Sequence, residues 1–255
     1  SDSGVASRKE ATRAARSGGV LLDGVAVRDL SQHVDPERVR ITYLGRDITY
    51  RRFTYVMLNK PEGYVSATDD KSLPYVTKLL PEDLQKRELF PVGRLDYETE
   101  GLLILTNDGD LAYRLTHPMT EIPKTYMAKI EGTLTEKDLN PIRSGIELDG
   151  VMTKKCKAHI VETNKAYTKV HITITEGKFH QIKRMFQAVC NKITYLERVR
   201  FADLILDTSL ARGEWRELTP EETAILEIFD IDDDEGEPIE FECEITRAEL
   251  ESLIT

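Results

Sequence analysis

The chain has 255 residues, 40% of them hydrophobic, which is enough for one sizeable core and a small extra module. It has no run of 18 or more apolar residues and no charged-then-apolar opening segment, and its three cysteines, Cys156, Cys190 and Cys243, are odd in number and widely spaced. A transmembrane span, a secretory signal, a disulfide framework and a zinc knuckle are therefore not expected, and a reducing cytoplasm is the expected home. The net charge of −10 is unevenly placed. Residues 230–255 hold eleven Asp or Glu against one Arg, residues 1–229 balance at 34 against 34, and residues 1–52 carry ten basic against seven acidic side chains. A bulk charge that seems to exclude nucleic acid thus hides a mildly basic N-terminal module and an acidic tail.

In chain order, Ser7 followed by Glu10 forms a capping box, which predicts a helix from Arg8 to about Arg16 carrying Arg8, Lys9, Arg13 and Arg16 and ended by Gly18-Gly19. Asp23-Gly24 between two apolar triplets, 20–22 and 25–27, predicts a tight hairpin, and a further strand follows over 39–43. Residues 47–52 are polar and basic and suit a linker. Strands are then expected over 53–58, 102–105, 124–130, 157–163 and 169–175. In the last, Val170, Ile172 and Ile174 share one face, with His171 and Thr173 on the other. Short helices are expected over 110–115, from a Thr135–Asp138 cap to before Gly145, and after Thr219-Pro220-Glu221-Glu222. Over 178–189 a helical spacing places Phe179, Ile182, Met185, Phe186 and Val189 on one face, with Lys183 flanking it and Arg184 nearly opposite, toward solvent or phosphate. Strands with interspersed helices argue for an α+β protein on a largely antiparallel or mixed sheet.

The most informative stretch is Gly93-Arg94-Leu95-Asp96-Tyr97-Glu98-Thr99-Glu100-Gly101, which delivers an Arg and an Asp on a loop just before a buried strand. Loops held by rigid strands are where catalytic groups concentrate, and a carboxylate there can act as nucleophile or base. Asp96 could equally stabilise a turn. The five histidines, at 33, 117, 159, 171 and 180, lack metal-ligand spacing. Asp108-Gly109-Asp110 lacks the glycine and glutamate of a calcium loop, and no phosphate-binding glycine motif is present.

The stretch G-R-L-D-Y-E-T-E-G-L-L-I-L-T-N-D-G (93–109) resembles the bacterial ribosomal RNA pseudouridine synthase family. So do L-N-K-P-E-G (58–63), K-T-Y (124–126), E-G-K-F-H-Q-I-K-R-M (176–185) and G-E-W-R-E-L-T (213–219), in the family's order and spacing. The helix and hairpin of the first 45 residues resemble an S4 RNA-binding domain, which presents basic helix residues to RNA phosphates. Such a domain has a further basic helical segment ahead of this point, so the N-terminus is expected to be trimmed.

The resemblance implies an S4-like domain over 1–46, a linker over 47–52, a synthase domain over 53–229 and an acidic extension over 230–255. The extension is outside the family pattern. Its alternating residues 238–245 suit a strand, and 246–254 suit a short amphipathic helix.

It further implies that Asp96 is the catalytic carboxylate, that Tyr126 lies against the target base, and that Lys183 pairs with Asp96. Arg94 would enter the space that the base leaves. Arg8, Lys9, Arg13, Arg16 and Arg184 would meet RNA. The reaction breaks the N1–C1′ bond of uridine, turns the uracil and joins C5 to C1′, which needs neither a cofactor nor a metal. The implied partner is ribosomal RNA or a pre-ribosomal particle, met by a cytoplasmic monomer.

Y-V-S-A-T-D-D (64–70) and L-D-T-S-L-A-R-G-E-W-R-E-L-T (206–219) look most like the branch acting on 16S RNA, whereas T-K-K-C-K (153–157) leans to a 23S branch. A non-catalytic RNA-binding or ribosome-assembly protein is the alternative of a different class. The intact Asp96, Tyr126 and Lys183 set argues against it.

Overall fold

The structure is a computed structural model and describes residues 6–32, 34, 38–48 and 52–229. The acidic extension and its expected strand and helix lie outside the described residues, as do residues 49–51 of the expected linker. The described residues up to Thr54, joined by Leu80–Leu89, form one compact unit. Tyr55–Leu79 and the described residues from Phe90 onward form the other.

In the first unit, helix α1 (Arg8–Arg16) begins at the capping box. The Ser7 hydroxyl accepts from the Glu10 N–H, and Glu10 Oε2 accepts from the Ser7 N–H at 2.8 Å. Arg8, Lys9, Arg13 and Arg16 are exposed, while Ala14 and Ala15 pack with Val20 and Tyr43. Strands β1 (Val20–Leu22), β2 (Val25–Ala26), β3 (Ile41–Tyr43) and β4 (Arg46–Ile48) form an antiparallel sheet in the order β2-β1-β3-β4. The β1–β2 turn has positive φ at both Asp23 and Gly24, as a two-residue hairpin requires.

Two features depart from the sequence expectation. Strand β4 takes up the start of the expected linker, held to β3 by its ladder and by the Arg40–Asp47 ion pair. The contiguous domain boundary also gives way, because Leu80–Leu89, with the short helix α2 (Glu82–Gln85), joins the N-terminal unit. Within that unit, Arg87 Nη1 donates to Thr54 Oγ1 at 2.7 Å.

The second unit is built on one mixed sheet. Its strands are β5 (Tyr55–Lys60), β6 (Phe90–Pro91), β7 (Glu100–Thr106), β8 (Lys124–Glu131), β11 (Lys157–Thr163), β12 (Tyr167–Ile174), β13 (Ile193–Phe201), β14 (Leu204–Ile205) and β15 (Trp215–Glu217). The order is β11-β12-β8-β13-β7-β5-β15, with β6 alongside β7 and β14 alongside β13. The β13–β7 pairing is parallel and the other ladders of this sheet are antiparallel. A separate hairpin joins β9 (Glu147–Leu148) to β10 (Val151–Met152).

Helix α3 (Gly109–Thr116) is capped by Asp108, whose carboxylate accepts from the Leu111 N–H at 3.0 Å. Helix α6 (Pro220–Glu227) starts at the expected Thr219–Glu222 capping box. Leu111 and Leu115 of α3 and Leu226 of α6 share a core with Met57, Leu102 and Ile104. Residues 56–60 and 101–106 are buried throughout, so the two central strands are covered on both faces.

Three expected elements are displaced for identifiable reasons. Helix α4 is Asn140–Ser144 and does not start at Thr135. Pro141 has no N–H to donate and its ring clashes with the carbonyl four residues back, so it suits a first turn and blocks a helix running through it. Thr135 instead donates N–H and O–H to Asp138, each at 2.7 Å. Helix α5 is Gln181–Ala188 because His180 takes a left-handed φ of 47°. Phe179 therefore leaves the apolar face and is 74% exposed, while Ile182, Met185 and Phe186 are buried. On β12, His171 is buried along with Val170 and Ile172, so both faces of that strand are covered.

Lys60, at the end of β5, has no exposed surface. Its ammonium donates to the carbonyls of Thr99 (2.8 Å), Pro61 and Asp96 (both 3.1 Å) and Tyr97 (3.4 Å). Burial pulls its pKa down to about 8, against the opposing pull of the Glu100 and Asp96 carboxylates. Next to it in register is Gly101, with φ +98°, where a Cβ would lie 2.3 Å from the Arg198 carbonyl oxygen.

Two outcomes follow from this packing. Gly101→Ala combines backbone strain with a clash against main chain, and is expected to cost about 2–4 kcal/mol in urea or thermal unfolding. Lys60 imposes a pH signature. The unfolded chain keeps the proton to about pH 10.5 while the folded protein releases it near 8, so in that window the unfolded state binds more protons and stability rises with pH. The stability of wild type minus that of Lys60→Met is expected to climb by up to about 3 kcal/mol between those values. A flat difference in unfolding experiments across the series would show that the ammonium is not held in the buried clamp.

Candidate active site

Residues 92–99 arrive at β7 as a loop fixed by its own backbone. The Val92 N–H donates to Ile104 O at 2.8 Å, and the Gly63 N–H to Tyr97 O at 2.9 Å. Ser66 closes a reciprocal pair with Leu95, its hydroxyl donating to Leu95 O at 2.8 Å and accepting from the Leu95 N–H at 3.0 Å. Leu95 and Thr99 are buried, and the Thr99 N–H turns back to Asp96 O at 3.0 Å. With Lys60 gathering three carbonyls of this loop, the main chain at Asp96 is tied down on both sides while the carboxylate stays about one-third exposed. A fixed, partly open carboxylate can act on a ligand without first losing a structural role.

The group beside that carboxylate is His180, with Nε2 3.5 Å from Asp96 Oδ1. Lys183 is elsewhere. Its ammonium donates to Glu98 Oε2 at 2.7 Å, so the expected pairing with Asp96 is replaced by one with the next carboxylate along the loop, two residues on. That hydrogen bond holds the Glu98 carboxyl below its ordinary pKa. The reason is local: Glu98 is on the exposed side of the loop, where Lys183 on the flank of α5 reaches it. Arg184 also departs from the expectation of a free solvent-facing cation, because it pairs with Asp149 Oδ2 at 2.7 Å and donates to Phe179 O at 3.5 Å. Arg94 is exposed.

Tyr126 is almost fully buried on β8, opposite Ile172 of β12 and Arg198 of β13, so the three side chains share one face of the sheet. Arg198 is 2% exposed. Its Nε donates to Leu102 O at 2.8 Å, its guanidinium sits over the Phe201 ring, and its Nη2 is a buried donor with no hydrogen-bond partner among the described residues. Lys124 is on the same strand as Tyr126, its pKa brought down to about 8 by burial and then by Arg198. The buried Lys60 and Arg198 and the half-buried Lys124 thus form a cationic layer, and Lys60 is close enough to feel Asp96, Glu100 and Arg198. Fixed positive charge in a dry region favours an anion developing on a ligand.

Sequence reasoning missed a second network. Arg212 binds Glu100 (2.9 Å) and Glu197 (2.7 Å), donates to the Tyr195 hydroxyl at 2.6 Å, and reaches the Asn59 side chain. The Asn59 amide continues to Leu210 O at 2.7 Å. β5, β7, β13 and the loop before β15 are thereby joined at the residue that follows the Asp96 loop. A lone Arg before Gly213-Glu214 carries no sequence signal for this, whereas Lys60 is visible as a charge ending an apolar run.

The chain matches the RNA pseudouridylate synthase family model over residues 54–188 and the S4 domain model over residues 1–39. It is 42% identical over 226 residues to an uncharacterized RNA pseudouridine synthase of Bacillus subtilis, covering 88% of this chain and 95% of that one. It is 38% identical to ribosomal large subunit pseudouridine synthase B of Bacillus subtilis, covering 86% and 89%, and 37% identical to ribosomal small subunit pseudouridine synthase A of Escherichia coli, covering 86% and 93%. A crystal structure of a pseudouridylate synthase superposes with a TM-score of 0.64 at 36% identity, covering 86% of this chain and 94% of that one. The mixed sheet with its tethered aspartate loop, the basic helix-and-hairpin module ahead of it and these likenesses agree: the chain belongs to the RNA pseudouridine synthase family and carries an S4 domain.

Proposed function

We propose that the protein isomerises a uridine of ribosomal RNA to pseudouridine, in 16S RNA given its small-subunit-like motifs, with Asp96 as the catalytic carboxylate. The observation that carries the reading is the Asp96 loop itself, with backbone locked by Lys60 and Ser66 and carboxylate left open. The target uridine is drawn from its stack at a cost of a few kcal/mol, and Arg94 fills the space it leaves. The uracil is received against Tyr126. Asp96 acts at the C1′–C2′ edge of the ribose as the N1–C1′ bond breaks. The uracil carries the resulting negative charge while it turns, and the cationic layer of Lys60, Arg198 and Lys124 favours that anion. C5 then joins C1′, and the proton lost from C5 is matched by one gained at N1, so substrate and product are isomers. Nothing is oxidised or reduced.

Lys183 and Arg184 at the rim contact the RNA backbone, and Arg8, Lys9, Arg13 and Arg16 of α1 present exposed charge to phosphates. The 23S alternative is supported by the likeness to the large-subunit relative and by residues 153–157. The protein works as a cytoplasmic monomer under this reading.

Mapping pseudouridines in 16S and 23S RNA from cells with and without the gene separates the two substrates. Asp96→Asn is expected to abolish the modification while leaving folding and RNA affinity nearly unchanged, because the side chain is partly exposed and its backbone contacts remain. Turnover by Asp96→Asn, or RNA whose pseudouridines do not depend on the gene, would overturn the assignment, the latter in favour of a non-catalytic RNA-binding role. In a salt series, Arg13→Gln with Arg16→Gln is expected to weaken RNA binding and to flatten the slope of log affinity against log salt by about 1.4–1.8, the counterions of two phosphate contacts.

A further inference from the structure

Phe179 is 74% exposed although it lies next to the site. Its ring stacks on His180, with centroids 3.9 Å apart and planes 16° from parallel, and His180 Nε2 is 3.5 Å from Asp96 Oδ1. His180 thus meets the phenyl ring with its face and the carboxylate with its Nε2 atom. The arrangement is built into the backbone. His180 holds a left-handed φ of 47°, the Lys178 N–H donates to Gln181 Oε1 at 2.9 Å, and Arg184 Nη1 reaches Phe179 O at 3.5 Å. A phenylalanine left in water forgoes about 1.5–3 kcal/mol of burial, part of which a base stacked on its free face would recover.

Resting on the functional reading above, the geometry points to Phe179, backed by His180, as a stacking platform for a base of single-stranded RNA, the one adjacent to the target uridine. The target uracil turns inward to Tyr126, because Asp96 acts on its ribose. The face of Phe179 turned away from His180 is exposed and meets the next base. Every base has a π face, so such a platform tolerates sequence, while Lys183, Arg184 and the exposed Arg94 supply charge for the backbone around it. His180 is a positioning residue here, holding the phenyl ring at a fixed distance from Asp96.

The test uses the full chain and ribosomal RNA extracted from cells lacking the gene. Phe179→Leu keeps apolar bulk but removes the flat ring. It is expected to raise KM about tenfold, within the span of base–aromatic stacking. Its single-turnover rate at saturating enzyme should stay within about twofold of wild type, and Phe179→Tyr should restore KM. A purely structural role would lower the melting temperature of Phe179→Leu and would not produce this split. Phe179→Trp supplies an optical readout, since Trp215 is the chain's one tryptophan. RNA is expected to quench its fluorescence beyond the change seen in wild type, and still to do so when Asp96→Asn is added. A wild-type KM for Phe179→Leu, or no extra quenching in Phe179→Trp, overturns the platform. If wild type converts no uridine while Phe179→Trp is quenched, the functional reading falls and the stacking site stands.

Discussion

A buried ammonium organises the reactive end of this protein. Lys60 is sealed from water and spreads its N–H groups over four carbonyls, three of them in the loop that carries Asp96. A lysine in such a place gives up hydration, which is why its pKa falls to about 8. What offsets that cost is the loop: its Thr99 carbonyl accepts from the ammonium at 2.8 Å, and the Asp96 and Tyr97 carbonyls accept from it in addition to their backbone N–H donors. The cation and the loop satisfy each other, and neither is stable in this geometry alone. The carboxylate of Asp96 is thereby excused from structural duty.

The clamp works because its supports are rigid. β5 and β7 are buried on both faces and pair in register, with Lys60 opposite Gly101. The absent side chain at Gly101 lets β13 approach so closely that a methyl group would collide with the Arg198 main chain. Close approach then sets Arg198 beside Tyr126 and over the Leu102 carbonyl. On the other side, Arg212 binds Glu100 and Glu197 on neighbouring strands. Partly buried charges of opposite sign, each with several partners, resist displacement more than exposed pairs do.

How much of this was legible in the sequence depended on how far apart the interacting residues are. Both capping boxes and the Asp23-Gly24 hairpin involve residues no more than a few positions apart, and local chemistry sufficed to read them. β13 went unread because Glu197, Arg198 and Arg200 interrupt its apolar pattern. Glu197 and Arg198 find their partners only in the folded sheet, in Arg212 and the Leu102 carbonyl, while Arg200 is held by the nearby Ala202 carbonyl and Asp203. The helix at 178–189 was read with the right period and the wrong start, since periodicity does not register one left-handed residue. His180 beside Asp96 and Lys183 on Glu98 are contacts across more than eighty residues. They follow from where β7 and α5 meet in space. The Asp96 loop itself was visible as a polar segment before an apolar strand, but its role came from the family resemblance.

The same geometry reconciles an acidic chain with an RNA-modifying family. Much of the positive charge near the site is not free: Lys183 is on Glu98 and Arg184 is on Asp149. Those two carboxylates are 75% and 82% exposed, so their pairs belong to the class worth about 0–1 kcal/mol. A phosphate that takes over either cation loses little by displacing such a partner and gains a charge-assisted bond. The acidic residues therefore hold the cations in position in the free protein without blocking them. Deeper in, Lys60 and Arg198 are enclosed and cannot exchange in this way. Their charge acts on whatever enters the site, while the rim charges act on what surrounds it. Net charge averages over these two populations and describes neither, which is why the overall value of −10 says little about the ligand.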